Sequence, residues 1–343
     1  MTRTISIAGK ATIGNGRTFI IAEVGSNHAG SLALALEHID AAAESGADAV
    51  KFQSLSMDKL YKDPPSHIRE LHARIDMEET WCADLLAHAA RRGVLFFSSP
   101  TYLDSVSLLD RLDVPLFKLA SAQVGTFPQL VQAVAETGRP TFLSSGIADY
   151  GGLSDAVRRF EQAGNHNYAI MHCNAIYPTP AERVFLGRMA TYRKMFHCPV
   201  GFSDHTDGTA VALAAVALGA AVIEKHFLLD THMDTSDAPF SIGPDTFRGM
   251  VGNIRAVEAA RGDAPRLELE PEEKRFREAI RYRLVLRCNK SESESFGEGD
   301  FDYLRSAQGI DAAHAALIMA NMEAARPLKA GQILDWTCLR GRD

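Results

Sequence analysis

Residues 18–53 read TFIIAEVGSNHAGSLALALEHIDAAAESGADAVKFQ and contain one complete strand–helix–strand unit. The run 18–24 is apolar and rich in β-branched residues, which is typical of a strand buried on both faces. An alanine-rich segment over 32–44 has the spacing of an amphipathic helix, and residues 48–53 return to a strand pattern. Two strands joined through a helix in this way are expected to run parallel.

The same alternation of strand and helix continues through residue 262. Strands are predicted at 18–24, 48–53, 94–98, 116–120, 141–144, 168–173, 200–203 and 221–227. Helices are predicted at 32–44, 79–91, 103–111, 128–137, 153–162, 184–194, 210–217 and 245–260. Eight such pairs within residues 18–262 favour an α/β fold of the closed (β/α)8 TIM-barrel type over an open sheet.

The composition changes after residue 261, which predicts a second, smaller domain. Residues 262–280 are charged and contain proline, as in a linker or an exposed helix. From residue 281 onward, a short apolar strand pattern, the run SESES at 291–295 and small turns indicate a compact unit. We therefore predict a barrel domain over 1–262, a linker over 263–280 and a small domain over 281–343. So small a domain has a marginal core of its own, which favours docking on a partner.

The overall composition is that of an ordinary globular protein, with 46% hydrophobic and 23% charged residues in a chain of 343. Its formal net charge of −7 argues against nucleic acid or an anionic membrane as a general partner. No transmembrane run and no signal-peptide pattern are present in the sequence. The five cysteines are scattered without a Cys-x-x-Cys pair, so neither a disulfide framework nor a zinc site is predicted. A cytoplasmic location is the simplest expectation.

Polar side chains gather where the predicted strands end, which is where active sites lie in such barrels. Lysines within three of these strands, Lys51, Lys118 and Lys225, would be costly to bury without an anionic partner. They favour a ligand that carries phosphate and carboxylate groups. In the alternative interpretation, these lysines pair with strand-end acids such as Glu23 or Glu224 in a structural network.

Two histidines, His205 and His226, end adjacent strands, so their imidazoles could share a divalent metal ion with water and substrate. His28 is a third histidine at a strand end. Paired histidines also occur as purely structural residues, and on the residues alone this alternative stays open.

Taken together, these strand ends resemble the N-acetylneuraminate (sialic acid) synthase family over nearly the whole chain. The matching segments are IIAEVGSNHAGSL (20–32), GADAVKFQ (46–53), VPLFKLAS (114–121), LSSGI (143–147), MHCNAIYPTP (171–180), VGFSDHT (200–206) and GAAVIEKHFLLD (219–230). In the C-terminal part, ARPLKAGQIL (325–334) is similar to the antifreeze-like (SAF) domain of that family. The resemblance thus implies a TIM barrel followed by a small SAF capping domain.

For activity, the resemblance implies a transferase that condenses phosphoenolpyruvate with an N-acyl amino-sugar aldehyde, such as N-acetylmannosamine. The products would be a sialic-acid-type nonulosonic acid and phosphate, released by C–O cleavage. Mn²⁺ or Mg²⁺ would be the cofactor, bound by His205 and His226, and these two histidines and Glu23 would be the catalytic residues. The expected phosphoenolpyruvate ligands are Lys51, Gln53, Lys118, Ser121 and Ser203. The residues expected to face the sugar are Glu23, Gln123, Tyr177 and Asp237.

The resemblance also implies a partner, a second copy of the chain. In that family the small domain caps the active site of the other subunit in a domain-exchanged homodimer, and one arginine contacts the N-acyl group. Alignment places Arg305 at that position, and a surface arginine without this role is the alternative.

Three residues on the sugar side depart from the family pattern. Gln123 replaces a carboxylate, Ala175 replaces asparagine or serine, and Ala238 replaces a histidine. A glutamine cannot carry a proton at neutral pH, so an acidic function is lost there. The residues expected around phosphoenolpyruvate and the metal all match. We therefore expect the family chemistry with an acceptor that differs. Two alternatives stay open, a synthase for a non-standard aldose and a non-catalytic barrel that binds a sugar acid.

Overall fold

The computed structural model describes residues 3–262 and 266–342. The chain divides into two compact units, Met1–Asp263 and Ala264–Asp343. Each unit has its own apolar core, so each is described by itself.

The first unit is built around eight parallel strands. A short antiparallel hairpin, β1 (Ile5–Ile7) and β2 (Ala11–Ile13), precedes them. The eight strands are β3 (Phe19–Gly25), β4 (Ala49–Ser54), β5 (Leu95–Pro100), β6 (Phe117–Leu119), β7 (Thr141–Ser144), β8 (Tyr168–His172), β9 (Val200–Asp204) and β10 (Val222–His226). Hydrogen bonds join them in the order β5-β4-β3-β10-β9-β8-β7-β6. The edge strands β5 and β6 approach within 8 Å between Cα atoms, so the sheet closes into the predicted (β/α)8 barrel.

Helices surround the barrel and connect its strands. They are α1 (Leu32–Glu44), α2 (Met57–Leu60), α3 (Ser66–Ile75), α4 (Trp81–Arg92), α5 (Leu103–Arg111), α6 (Ser121–Thr126), α7 (Pro128–Glu136), α8 (Tyr150–Gln162), α9 (Arg188–Phe196), α10 (Ala210–Ala217) and α11 (Pro244–Arg261). All eight predicted helices are present with shifts of a few residues at their ends, whereas α2, α3 and α6 were not predicted. Across residues 3–262 and 266–342, no helix combines the length and apolar character needed to span a membrane.

Helix α1 illustrates how the local sequence produces these elements. Its N-terminus is capped by Ser31, whose side chain accepts a hydrogen bond from the backbone N–H of Leu34. Its buried residues recur with the spacing of one helix face, which packs against the sheet. They are Ala35, His38, Ile39 and Ala42.

The interior of the barrel changes from apolar to polar along the strands. Alternate residues of a strand point to the same face, so Phe19, Ile21 and Glu23 all point inward on β3. The inward residues nearest the amino ends of the strands form an apolar cluster with the hairpin residues Ile5 and Ile7. The hairpin thus packs against the amino-terminal end of the barrel interior. The polar inward residues lie at the carboxyl end.

The second unit contains one longer helix and short antiparallel strand pairs. Its elements are α12 (Pro271–Ala279), β11 (Tyr282–Leu286), β12 (Phe301–Arg305), α13 (Ala315–Asn321), β13 (Met322–Ala324) and β14 (Leu339–Gly341). β11 pairs with β12 and β13 pairs with β14. Phe296 and Phe301 stack in its core, with ring centroids 5.6 Å apart. Part of the predicted linker is therefore helical, residues 263–265 lie outside the described residues, and the antifreeze-like identity of this unit stays a prediction.

Candidate active site

The polar inward residues border a cavity of about 60 Å³ at the carboxyl ends of the barrel strands. It is lined by Glu23, Lys51, Gln53, Lys118, Ala120, Ser121, Ser144, Cys173, Tyr177, Ser203, His205, Glu224 and His226. All five residues expected around phosphoenolpyruvate lie in this lining, as do both histidines. Strand alternation explains the grouping, because β4 contributes Lys51 and Gln53 from one face and β10 contributes Glu224 and His226 in the same way.

Two lysines and two glutamates form an ion-pair network in the cavity. Lys51 Nζ lies 2.7 Å from Glu23 Oε2, and Lys118 Nζ donates hydrogen bonds of 2.8 Å to both carboxylate oxygens of Glu224. Lys51 also lies 3.8 Å from Glu224 Oε1, so the two pairs are connected. All four side chains are at most 4% exposed. The predicted pairing with strand-end acids is thus present, and these lysines also face the cavity.

Two neutral side chains donate further hydrogen bonds to the two carboxylates. Ser203 Oγ donates to Glu224 Oε1 at 2.7 Å, and Gln53 Nε2 donates to Glu23 Oε1 at 2.8 Å. Glu224 thereby becomes the centre of the network. The sequence indicated Glu224 only as a partner for the lysines, and the site residues predicted from it did not include Glu224.

The two glutamates have opposite pKa shifts. Burial raises the pKa of Glu23 to about 7, although Lys51 acts against this shift. Burial would also raise the pKa of Glu224, but Lys118 and Lys51 hold that pKa well below its usual range. At neutral pH, Glu224 is therefore ionised, and Glu23 can gain or lose a proton.

The third strand lysine, Lys225, does not line the cavity. Its side chain is fully buried, and its Nζ lies 3.2 Å from Asp204 Oδ2. It points to the opposite face of β10 from Glu224 and His226, because successive residues of a strand alternate. The expectation that Lys225 contributes to an anion site is therefore wrong, and its role is a buried structural ion pair.

His205 and His226 lie side by side, with ring centroids 5.4 Å apart. His205 Nδ1 lies 2.8 Å from the carbonyl oxygen of Asn174, so Nδ1–H donates there and Nε2 keeps its lone pair. His226 Nδ1 is buried without a hydrogen-bond partner. Burial lowers the pKa of both imidazoles to about 3, so both are neutral at physiological pH, as metal ligands must be. A divalent metal fits this pair.

These two histidines would supply the side-chain ligands of such a metal. Among the described residues, no group of three or more His, Cys, Asp or Glu side chains has an arrangement that could hold a metal ion. The remaining coordination positions would be filled by water and substrate, as in open catalytic sites.

Asp237 and Tyr177, for which the resemblance implies a position facing the sugar, lie next to the histidines. Asp237 Oδ2 is 3.6 Å from His226 Nδ1 and accepts hydrogen bonds from the backbone N–H and the hydroxyl of Ser26, at 3.2 and 3.1 Å. The Tyr177 ring packs on His205 with centroids 4.4 Å apart. Gly25 lies directly beneath Asp237, with φ +55°, and a Cβ there would overlap Asp237 Oδ2. Ser26 and Gly25 were not predicted as site residues.

Besides Asp237, two predicted site residues lie outside the cavity lining. Gln123 is half-buried on α6, two residues beyond Ser121, which does line the cavity. Arg305 is exposed at the end of β12 in the second unit, with its guanidinium 5.4 Å from the centroid of the Tyr282 ring. Their roles toward a sugar stay predictions.

The barrel and its strand-end cavity define the class of protein, a (β/α)8-barrel enzyme with its site at the carboxyl ends of the strands. Residues 38–266 match the model of the NeuB family, and the chain belongs to that family. It is therefore a transferase of the sialic-acid-synthase type, which confirms the resemblance seen in the sequence.

Three similar proteins illustrate the range of the family. N,N'-diacetyllegionaminic acid synthase of Campylobacter jejuni is 34% identical, covering 86% of this chain and 92% of its own. N-acetylneuraminate-9-phosphate synthase of Homo sapiens is 33% identical over 74% of this chain and 73% of its own. The crystal structure of N-acetylneuraminic acid synthetase from Leptospira borgpetersenii, in complex with citrate, has a TM-score of 0.75 and 29% identity. It covers 81% of this chain and 97% of that one.

Proposed function

We propose that the protein condenses phosphoenolpyruvate with an N-acyl amino-sugar aldehyde, N-acetylmannosamine or a related hexosamine. The products would be a nonulosonic acid and inorganic phosphate. The main observation in support of this proposal is that two buried lysines and a pair of histidines line the same cavity at the ends of the strands. The names of the relatives, synthases of legionaminic and neuraminic acids, support it.

The lysines explain how the site would bind phosphoenolpyruvate. This substrate carries a phosphate and a carboxylate, and burying them requires charged donors and hydroxyls in place of water. Lys51 and Lys118 supply the charge, and Ser121 and Ser203 supply hydroxyl groups in the same lining. The ionised Glu224 holds Lys118 in position for this contact through its two hydrogen bonds of 2.8 Å.

The reaction joins C3 of phosphoenolpyruvate to the aldehyde carbon of the sugar, and the aldehyde oxygen takes up a proton. Water adds to C2, the bond from C2 to the bridging oxygen breaks, and phosphate leaves with that oxygen. An α-keto acid remains. Glu23 is our candidate for a proton-transfer group in this sequence, because a carboxyl with a pKa near 7 can both accept and donate at neutral pH.

The same proposal includes a divalent cation, Mn²⁺ or Mg²⁺, held by His205 and His226. The unpaired Nδ1 of His226 and the free Nε2 of His205 are the observations that support it. When bound, such an ion would polarise the sugar carbonyl and stabilise the negative charge that develops on its oxygen. Tyr177 and Phe240 pack against the two imidazoles and limit their rotation.

The proposal is tested by measuring inorganic phosphate released from phosphoenolpyruvate and Mn²⁺ with a panel of aldoses, with mass spectrometry of the product. We expect release with N-acyl hexosamines and a product mass equal to the acceptor plus pyruvate. Release only with pentoses or non-acylated sugars would replace this proposal by a synthase for a non-standard aldose. If no aldose gives phosphate, the barrel binds a sugar acid without turnover and the proposal is wrong.

We further propose that two copies form a domain-exchanged homodimer, in which Arg305 of the partner subunit contacts the acceptor. Light scattering gives the mass in solution. Mixing the inactive variants Lys118→Met and Arg305→Ala is the decisive test, because an exchanged heterodimer contains one intact site and regains activity. A monomeric mass, or no complementation after mixing, would contradict the exchange.

A further inference from the structure

A second cavity, of about 140 Å³, lies between helix α3 and the segment 234–236. Leu71 and Ile75, one turn apart on α3, form its apolar wall. The hydroxyl groups of Ser26 and Ser236 face this wall and lie 2.8 Å from each other. An apolar surface opposite hydroxyl groups fits a small uncharged group that contains a methyl and can form hydrogen bonds.

A single carboxylate connects this second cavity to the catalytic one. Ser26, which lines the second cavity, donates two hydrogen bonds to Asp237 Oδ2. The same oxygen is 3.6 Å from His226 Nδ1, which lines the catalytic cavity. An acceptor whose aldehyde reacts beside the histidines and whose chain passes Asp237 would therefore direct its far end toward the second cavity.

The charges around the second cavity disfavour an anion. Its cationic side chain, Arg74, is already engaged by Asp234, through hydrogen bonds to the backbone carbonyl and to Oδ2, the latter at 3.3 Å. Asp237 adds a second carboxylate behind Ser26. A phosphate at this place would meet two carboxylates and one guanidinium that is already paired, so it would be repelled.

We propose that this second cavity receives the distal end of the acceptor sugar and selects an uncharged, methyl-bearing end over a phosphorylated one. The methyl would belong to an N-acyl or a deoxy group. This inference rests on the proposed function and narrows its acceptor class. An acceptor of this class differs from what the name of one relative indicates, since that name contains a 9-phosphate product. It agrees with the name of another relative, which contains an N,N'-diacetyl product.

The test measures phosphate release from phosphoenolpyruvate and Mn²⁺ with three acceptors. They are N-acetylmannosamine, its 6-phosphate, and a diacetamido-trideoxyhexose. For the wild type we expect kcat/KM to be at least about tenfold lower with the 6-phosphate than with either uncharged sugar, a difference of ~1.4 kcal/mol. A higher kcat/KM for the diacetamido sugar than for N-acetylmannosamine would point to the N-acyl or deoxy methyl as the group that fits the cavity.

Two variants locate the selectivity. Leu71→Trp fills the cavity and should raise the KM for uncharged acceptors about tenfold while leaving the KM for phosphoenolpyruvate unchanged. Leu103→Trp is the matched control, since Leu103 on α5 is similarly exposed, 46% against 39% for Leu71. Asp234→Asn removes one carboxylate from an almost fully exposed side chain and should reduce the discrimination against the 6-phosphate.

The results distinguish this inference from the proposed function. Phosphate release that is equally fast with the 6-phosphate, or an unchanged acceptor KM in Leu71→Trp, would overturn the inference while leaving the condensation reaction standing. The same increase in acceptor KM in Leu103→Trp would also overturn it, because the effect would not be local. No release from any acceptor would refute both.

Discussion

Replacing Lys118 by methionine tests the ion pair at the centre of the catalytic cavity. Lys118 Nζ lies 2.8 Å from both carboxylate oxygens of Glu224, and the two side chains are 3% and 4% exposed. Methionine keeps most of the apolar stem but removes the charge. Glu224 would then keep the hydroxyl of Ser203 at 2.7 Å and the more distant Lys51 at 3.8 Å. Removing one partner of a buried pair lowers the free energy of unfolding by about 3–5 kcal/mol. Because Lys51 remains as a second cation near Glu224, we expect the low end of this range, ~3 kcal/mol.

This loss can be measured by thermal unfolding at fixed protein concentration. A destabilisation of ~3 kcal/mol lowers the Tm by roughly 6–12 °C for a domain of this size. Phosphate release should fall to background in the same variant, because Lys118 is proposed to bind the substrate anion. Lys59→Met is the matched control. Its partner Asp104 is 2.6 Å away and both side chains are about half exposed or more, so water screens the pair and we expect little change in the Tm.

The double variant Lys118→Met with Glu224→Gln separates stability from activity. Because neither side chain then carries a charge, we expect most of the lost stability to return, while activity stays absent for lack of the cation. If Lys118→Met alone is as stable as the wild type, the ion pair between Lys118 and Glu224 is not buried as described. Wild-type turnover in the double variant would refute the role of Lys118 in binding substrate.

Three further predictions concern single residues. His205→Ala should abolish turnover and weaken Mn²⁺ binding in calorimetry, with an unchanged circular dichroism spectrum; full activity in EDTA would refute the metal assignment. Gly25→Ala should raise the acceptor KM, because a Cβ there overlaps Asp237 Oδ2; an unchanged KM would contradict the position of Asp237. Burial lowers the pKa of His38 from 6.5 to about 4, so between these values the unfolded chain binds more protons and stability falls as the pH decreases. The contribution of His38 is up to ~3 kcal/mol, so His38→Gln should make the decrease of the urea midpoint between pH 7 and 4.5 less steep, while His205 and His226, whose pKa values are also lowered, still contribute. An unchanged slope would assign the whole loss to other groups.

The barrel could be predicted from the sequence because its strands are buried apolar runs that alternate with helical patterns. The parts that were not predicted lack such a signal. The hairpin strands Ile5–Ile7 and Ala11–Ile13 have three residues each, too few for a periodic pattern. Helix α3 (Ser66–Ile75) buries only His72 and follows two prolines, so its sequence is mostly polar and does not indicate a helix that packs on the core. The sequence therefore does not indicate that α3 forms a wall of the second cavity.

The lysines show how far strand alternation can determine a site. In the EKH segment of β10, Glu224 and His226 share one face and Lys225 takes the other. Every residue of this strand is buried, so exposure gives no indication of which face points inward. From the sequence, Lys225 is therefore a possible third member beside Lys51 and Lys118, and Glu224 is not predicted as a site residue. Once His226 is placed inside, the alternation requires Glu224 to be inside too.

The sugar side of the site is less predictable for a different physical reason. The phosphoenolpyruvate side is made by residues within strands, whose orientation follows from the alternation of the β structure. The sugar side depends on contacts between loops that are distant in sequence, such as the hydrogen bonds from Ser26 to Asp237 across 211 residues. No local pattern in the sequence indicates such a contact. The need for glycine at position 25 likewise follows from the three-dimensional structure, from its positive φ and from Asp237 directly above it. Substitutions that change the acceptor should therefore concentrate in α3 and the segment 231–238, whereas those that abolish the reaction should concentrate at inward positions of the strands.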